Sequence, residues 1–183
     1  MGAMNALPRS VPLTYADLQA MPDDDGHRYE LVDGTLIVTP APRTPHQRVG
    51  FNLARALADR VSADLEVMMA PVDYVVSDST VLQPDVLVAR RADITERNLP
   101  APPVLAVEVL SPSTRRIDAG TKRLAFEAAG VPHYWLVDPD EPSILALELV
   151  DGVYREAAYV VGDAAFSITA PFTFSVRPVD LTR

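Results

Sequence analysis

Apolar residues recur every four positions from Val49 through Leu53 and Leu57 to Val61, while Arg48, Arg55 and Asp59 fall between them. That spacing predicts a helix from near His46 to about Ser62 with one buried stripe. Elsewhere the pattern shortens to that of strands. HRYELVDGTLIVTP holds two β-prone runs joined at Asp33-Gly34, the signature of a hairpin. ILALELVDGVYREAAYVV repeats the device at Asp151-Gly152. LEVMMAPVDYVVSD predicts one or two strands, VLQPDVLVARR another with Pro84 and Asp85 at its start, and HYWLVDPD one more with an abrupt stop. VLAVEVLSP is the most apolar run and is therefore placed at the centre of a sheet.

Thr14 can cap a short helix to about Met21, with Asp17 in its first turn, before the acidic MPDDDG breaks the pattern. A third helix is expected from roughly Asp118 to Ala129, ended by Gly130. PAPRTP and ITERNLPAPP read as loops, and the alternation after the second hairpin predicts edge strands. Together the elements define an α/β protein: a mixed central β-sheet flanked by helices, with additional β-hairpins. Residues 1–12 read as an N-terminal tail and 13–183 as a single domain.

Composition narrows the chemistry. With 48% hydrophobic residues the chain can bury a sizeable core, so its 17 prolines punctuate turns and loops. The absence of cysteine removes disulfides, thiolate zinc sites and cysteine nucleophiles together, and fits a cytoplasmic protein. Neither a signal-peptide apolar segment nor a run of membrane-spanning length is present, so no membrane association is expected. A formal net charge of −9 argues against coating nucleic acid through diffuse basic charge. Glycine-rich phosphate loops are missing, and Ser111 precedes a proline, outside any nucleophile elbow.

Against this background one carboxylate stands out. Leu105 to Leu110 is apolar except for Glu108, and an unpaired charge in such a strand would cost several kcal/mol. Pairing with a core arginine is one resolution. Asp85, at the start of the apolar run Val86–Val88, suggests another, since the two acids lie 23 residues apart on strands joined by a loop. If the strands are neighbours, the carboxylates converge, and a divalent cation can relieve their repulsion. Such a cation suits phosphodiester hydrolysis, by generating hydroxide and neutralising transition-state charge.

These residues carry a family resemblance. RYELVDG, PDVLV, VEVLSPST, the Asp118-to-Lys122 spacing and GVPHYWLVDPD, in that order, resemble the Uma-type family of putative restriction endonucleases. That family lies within the PD-(D/E)XK nuclease superfamily, and the likeness runs from about Leu13 to beyond Asp151. One departure is plain: the superfamily places lysine two residues after the glutamate, where this chain has Leu110.

The resemblance implies a restriction-endonuclease-like fold and a magnesium- or manganese-dependent endonuclease acting on DNA. It implies that Asp85, Glu108 and the main-chain carbonyl of Val109 ligate the metal, with His46 at the site mouth in contact with metal or phosphate. It also implies that the lysine has migrated to the following helix as Lys122, orienting or activating water. Glu30 matches the acid such folds contribute from their N-terminal part. Arg115, Arg116 and Arg123 would offer positive charge to a phosphate backbone. A homodimer is expected, because two copies cut both strands of a duplex most simply. Two other readings stay open: a catalytically inactive nucleic-acid-binding or assembly module, and a phosphoesterase acting on a small nucleotide.

Overall fold

A computed structural model describes residues 11–22 and 26–183. Most of the expected tail, and the acids at 23–25, lie outside the described residues. The chain opens with α1 (Tyr15–Gln19), capped by Thr14, whose side chain and backbone exchange hydrogen bonds with Asp17 as expected for a capping box. The hairpin β1 (His27–Val32) and β2 (Thr35–Pro40) turns at Asp33 and Gly34, both with positive φ (50° and 74°), as a tight primed turn requires. α2 (Thr44–Ala58) follows, starting two residues before His46 and stopping short of Ser62.

β3 (Leu65–Met69) and β4 (Tyr74–Ser77) come next. VLQPDVLVARR is two strands rather than one: Val81 and Leu82 belong to β5 (Thr80–Leu82), and β6 spans Val86–Arg90. Pro84 accounts for the break, because it cannot donate to a ladder and restricts the residue before it. β7 (Leu105–Val109) leads through a helical turn of π type (Ile117–Lys122) into α3 (Arg123–Ala128). β8 (His133–Asp138), β9 (Ser143–Val150) and β10 (Val153–Val161) complete the main sheet. The tail forms β11 (Phe166–Ile168) and β12 (Phe174–Val176), a separate two-stranded ribbon, and a short α4 (Pro178–Leu181) that the alternation did not predict.

Six strands in the order β10-β9-β8-β7-β6-β3 form the principal sheet, antiparallel except for the β7–β8 pair. β7 therefore lies inside the sheet, as its composition predicts. Alternation along it divides the core. Leu105, Val107 and Val109 share one cluster with Val49, Leu53 and Leu57 of α2, and with Trp135 and Val137 of β8. Ala106 and Leu110 face the other way, towards Phe126 of α3 and Tyr134 and Leu136. Glu108, between them in phase, points to this second face.

A second sheet, β2-β1-β5-β4, carries Leu31 and Val81 packed against Leu18 of α1. Its opposite face reaches the α3 side of the main sheet, where Leu82 and Tyr74 join the second cluster. Even-numbered side chains of β1, Arg28 and Glu30 among them, consequently face Glu108 rather than α1. Among the described residues no helix is long and apolar enough to cross a membrane.

Candidate active site

The β6–β7 register pairs Val86 with Val107, and one step further it sets Asp85 opposite Glu108. The two acids are neighbours across one ladder, and both are buried. Asp85 is fixed through both oxygens. Its Oδ2 accepts the main-chain N–H of Val109 at 2.8 Å and lies 3.0 Å from His46 Nε2; its Oδ1 accepts from Arg28 Nη1 at 2.7 Å. Burial opposes its ionisation, but the His46 hydrogen bond and the nearby cations outweigh it and hold the carboxyl well below the usual range.

Glu108 has the opposite environment. Its Oε1 lies 2.5 Å from Lys122 Nζ, yet without hydrogen-bond geometry, and has no other partner. Burial pushes its carboxyl well above the ordinary value, and the charges of Asp85, Asp118 and Glu30 reinforce the shift against the pull of Lys122. Glu30 arrives from β1, where its Oε1 accepts the main-chain N–H of Gln83 at 2.7 Å. Lys122 straddles Glu30, 2.9 Å from Oε1 and 3.1 Å from Oε2. Although burial disfavours the lysine's charge, Glu108 and Glu30 hold its pKa above the usual lysine value, so it is a fixed ammonium.

Glu30, His46, Asp85, Glu108 and Lys122, drawn from five segments of the chain, thus meet on the floor of one cleft of about 380 Å³. Its rim includes Arg43, Ser111 and Thr114. Two more charged groups belong to the cluster. Arg28 sits two residues before Glu30 on the same strand face, so strand alternation alone could have proposed it. The helical segment starts before the expected Asp118, at Arg115, so Asp118 lies inside it, buried, four residues before Lys122. Burial lifts its carboxyl to about 6, with Lys122 and a hydrogen bond from Thr114 opposing.

The flanking arginines have separate settings. Arg115 pairs with Asp138 at the end of β8, 2.6 Å apart, and ties the helical turn to the sheet. Arg116 is exposed. Arg123 lies beside Tyr154, with a buried Nε that has no hydrogen-bond partner.

Four carboxylates therefore face two permanent cations, Arg28 and Lys122. This surplus of negative charge, together with the unbonded Glu108 oxygen, fits a hard divalent cation with oxygen ligands. Among the described residues, no three His, Asp or Glu side chains are spaced as a ready cage.

A mixed central sheet flanked by helices, with two acids meeting across one ladder, matches the restriction-endonuclease-like fold. The chain belongs to the Uma2 family, described as putative restriction endonucleases, whose model matches residues 15–180. Among solved structures it is similar to a putative nuclease belonging to DUF820 from Anabaena variabilis. The two share 18% sequence identity at a TM-score of 0.72, over 93% of this chain and 98% of the other, a likeness of fold. No curated protein matches the chain.

Proposed function

We propose that the protein is a magnesium- or manganese-dependent endonuclease that hydrolyses DNA phosphodiester bonds in this cleft. The carrying observation is the convergence of Asp85, Glu108, Glu30 and Lys122 at one buried point. Asp85 and Glu108 would hold the cation, with the Val109 carbonyl beside them. The cation would supply an acidified water and neutralise charge building on the phosphate.

The chain's own groups divide the remaining work. Held protonated, Lys122 cannot serve as the base; it donates hydrogen bonds to the attacking water or to a non-bridging phosphate oxygen and stabilises the pentavalent charge. Glu30 fixes that ammonium in place and is itself fixed by the Gln83 N–H. Arg28 holds Asp85 and lines the cleft, placed to turn to a phosphate when a cation takes its partner. Water attacks phosphorus in line and gives up a proton to solvent, the bond to the leaving deoxyribose oxygen breaks, and that oxygen takes a proton from solvent.

A second reading, a non-catalytic binding module, draws on Leu110 in place of lysine and on an Asp85 whose oxygens already have three partners. Incubating single-stranded DNA and supercoiled and linear duplex with the protein and manganese separates the two. The enzyme nicks DNA, loses nicking on chelation and loses it in Glu108→Gln. DNA that binds but stays intact under every condition favours the module. Sedimentation of the protein with and without DNA tests the homodimer.

A further inference from the structure

We propose that a second, larger cleft beside the carboxylate cluster is a track for an unpaired nucleic-acid strand, delivering it across Arg28 to the buried site. The inference rests on the nuclease reading and names its substrate class. The second cleft is about 910 Å³ and is lined by Tyr15, His27, Tyr29, Gln47, Gln83 and Arg97, among others. Arg28, Ala41 and Pro42 line both clefts, so the two adjoin.

Size and charge select the strand. The first cleft, at about 380 Å³, is at the lower end of the roughly 300–1,000 Å³ that houses one small ligand. Its acids are almost wholly buried, so a phosphodiester must enter it as a flexible single nucleotide unit. A paired duplex presents one charge per about 1.7 Å of axis, an unfavourable load for a chain of net charge −9. Single strands bind instead through base stacking on aromatic rings with modest cationic help. The second cleft has both kinds of residue in its lining: Tyr15 and Tyr29, half-buried against the α1 cluster, and His27, with Arg28 and Arg97.

Gln83 links the two clefts. Its main-chain N–H positions Glu30, and its carbonyl lies 3.5 Å from Arg28 Nη1. Its side-chain Nε2 donates to Asp73 Oδ1 at 2.6 Å, which leaves Oε1 buried without a partner. An acceptor of this kind matches the exocyclic amino group of cytosine or adenine. Among the described residues, Asp73 is the acid of this lining; it is bonded to Gln83 and to the Tyr15 hydroxyl (3.1 Å), which holds the tyrosine ring in place.

The test is fluorescence anisotropy in calcium buffer, using the intact protein and labelled strands of about twelve nucleotides, within the usual span of such tracks. DNA and RNA single strands are compared with the matching duplex. We expect the single strand to bind about tenfold more tightly than the duplex. Gln47→Glu and Arg97→Glu, both exposed, should weaken single-strand binding about tenfold by repelling the strand. Equal or tighter duplex binding, or single-strand binding unchanged in both variants, overturns the track. A preference for DNA or for RNA supports it either way and identifies the sugar. In parallel, the wild-type protein is assayed with manganese on bis(p-nitrophenyl) phosphate, a diester small enough for the first cleft alone. Absence of that hydrolysis counts against the nuclease reading, while the binding arm still decides the track.

Discussion

Lys122 reaches both oxygens of Glu30, 2.9 and 3.1 Å away, and so joins the second sheet to the helical turn through a pair that is almost wholly buried. Truncating one member of a buried pair leaves the other charge uncompensated. Lys122→Met should therefore lower stability by about 3–5 kcal/mol near neutral pH. The deficit should shrink in acid. Glu108, already pushed upward by burial, rises further without the ammonium. A carboxyl with a raised folded-state pKa contributes stability that is present below its unfolded value and lost as pH rises through the folded one. Urea unfolding at pH 5 and pH 8 should show the gap between variant and wild type widening with pH. A gap independent of pH would mean that Lys122 does not neutralise this cluster.

Asp118 offers a cleaner titration. Its folded pKa is about 6 against an ordinary 3.8, because burial disfavours the charged form. The sign follows: its contribution is fully present below about 3.8 and is lost as pH rises to about 6. Asp118→Asn removes that loss. The asparagine variant should gain on wild type, by about 3 kcal/mol, as pH is raised across this window, and hold the gain above it. Denaturant midpoints collected from pH 4 to 8 measure this directly, and parallel curves for the two proteins would contradict it.

Much of this arrangement is legible in the sequence because the signals are local. The two Asp-Gly hairpins, the four-residue stripe of α2 and the apolar β7 each follow from spacing within one element. A carboxylate inside LAVEVL, opposite a second at the head of VLV, is a local contradiction that resolves only at a site. What escapes is long-range. Asp118 looks like a cap because helix starts commonly carry aspartate; its burial depends on Tyr134 and Lys122, which tertiary packing brings to it. Arg28 shares a face with Glu30 by strand alternation, but its partner Asp85 is 57 residues away. VLQPDVLVARR divides between two sheets, and nothing in its apolar pattern shows that Leu82 and Val86 belong to different ladders. α4 is missed for a related reason: it is too short for a period and is held by α2, through Asn52 donating to the Leu181 carbonyl at 3.0 Å.

Metal binding should be visible without activity. A cation that neutralises the surplus carboxylates binds the folded protein and raises its stability, by about 2.7 kcal/mol at a hundred times its dissociation constant. For a domain of this size that corresponds to roughly 5–10 °C in Tm. Thermal unfolding with magnesium, manganese and chelator should show this rise and its reversal. In Glu108→Ala the rise should vanish, since the cation then loses one of its two carboxylate ligands. An identical rise in the variant would place the cation elsewhere.

Tyr134 is expected to position the site without touching substrate. Its ring is fully buried between Phe126 and Tyr154, at centroid distances of 4.9 and 5.8 Å. Burial raises its pKa well above the ordinary tyrosine value, so the hydroxyl remains a donor, and it bonds the Asp118 carbonyl at 3.0 Å. That carbonyl belongs to the π-type turn carrying both Asp118 and Lys122. Tyr134→Phe should cost about 1 kcal/mol of stability, the net value of one hydrogen bond. It should also lower kcat with little change in KM, because the turn can then relax and draw the ammonium out of line. Tyr154→Phe is the control. Its hydroxyl bonds the Val131 carbonyl at 2.8 Å, beyond the far end of α3, so it should lose similar stability and keep its kcat. Stability and single-turnover measurements on both variants decide the matter: equal kcat in the two would make Tyr134 a packing residue, and a loss confined to Tyr134→Phe would make its hydroxyl part of how the fold sets Lys122 against Glu108.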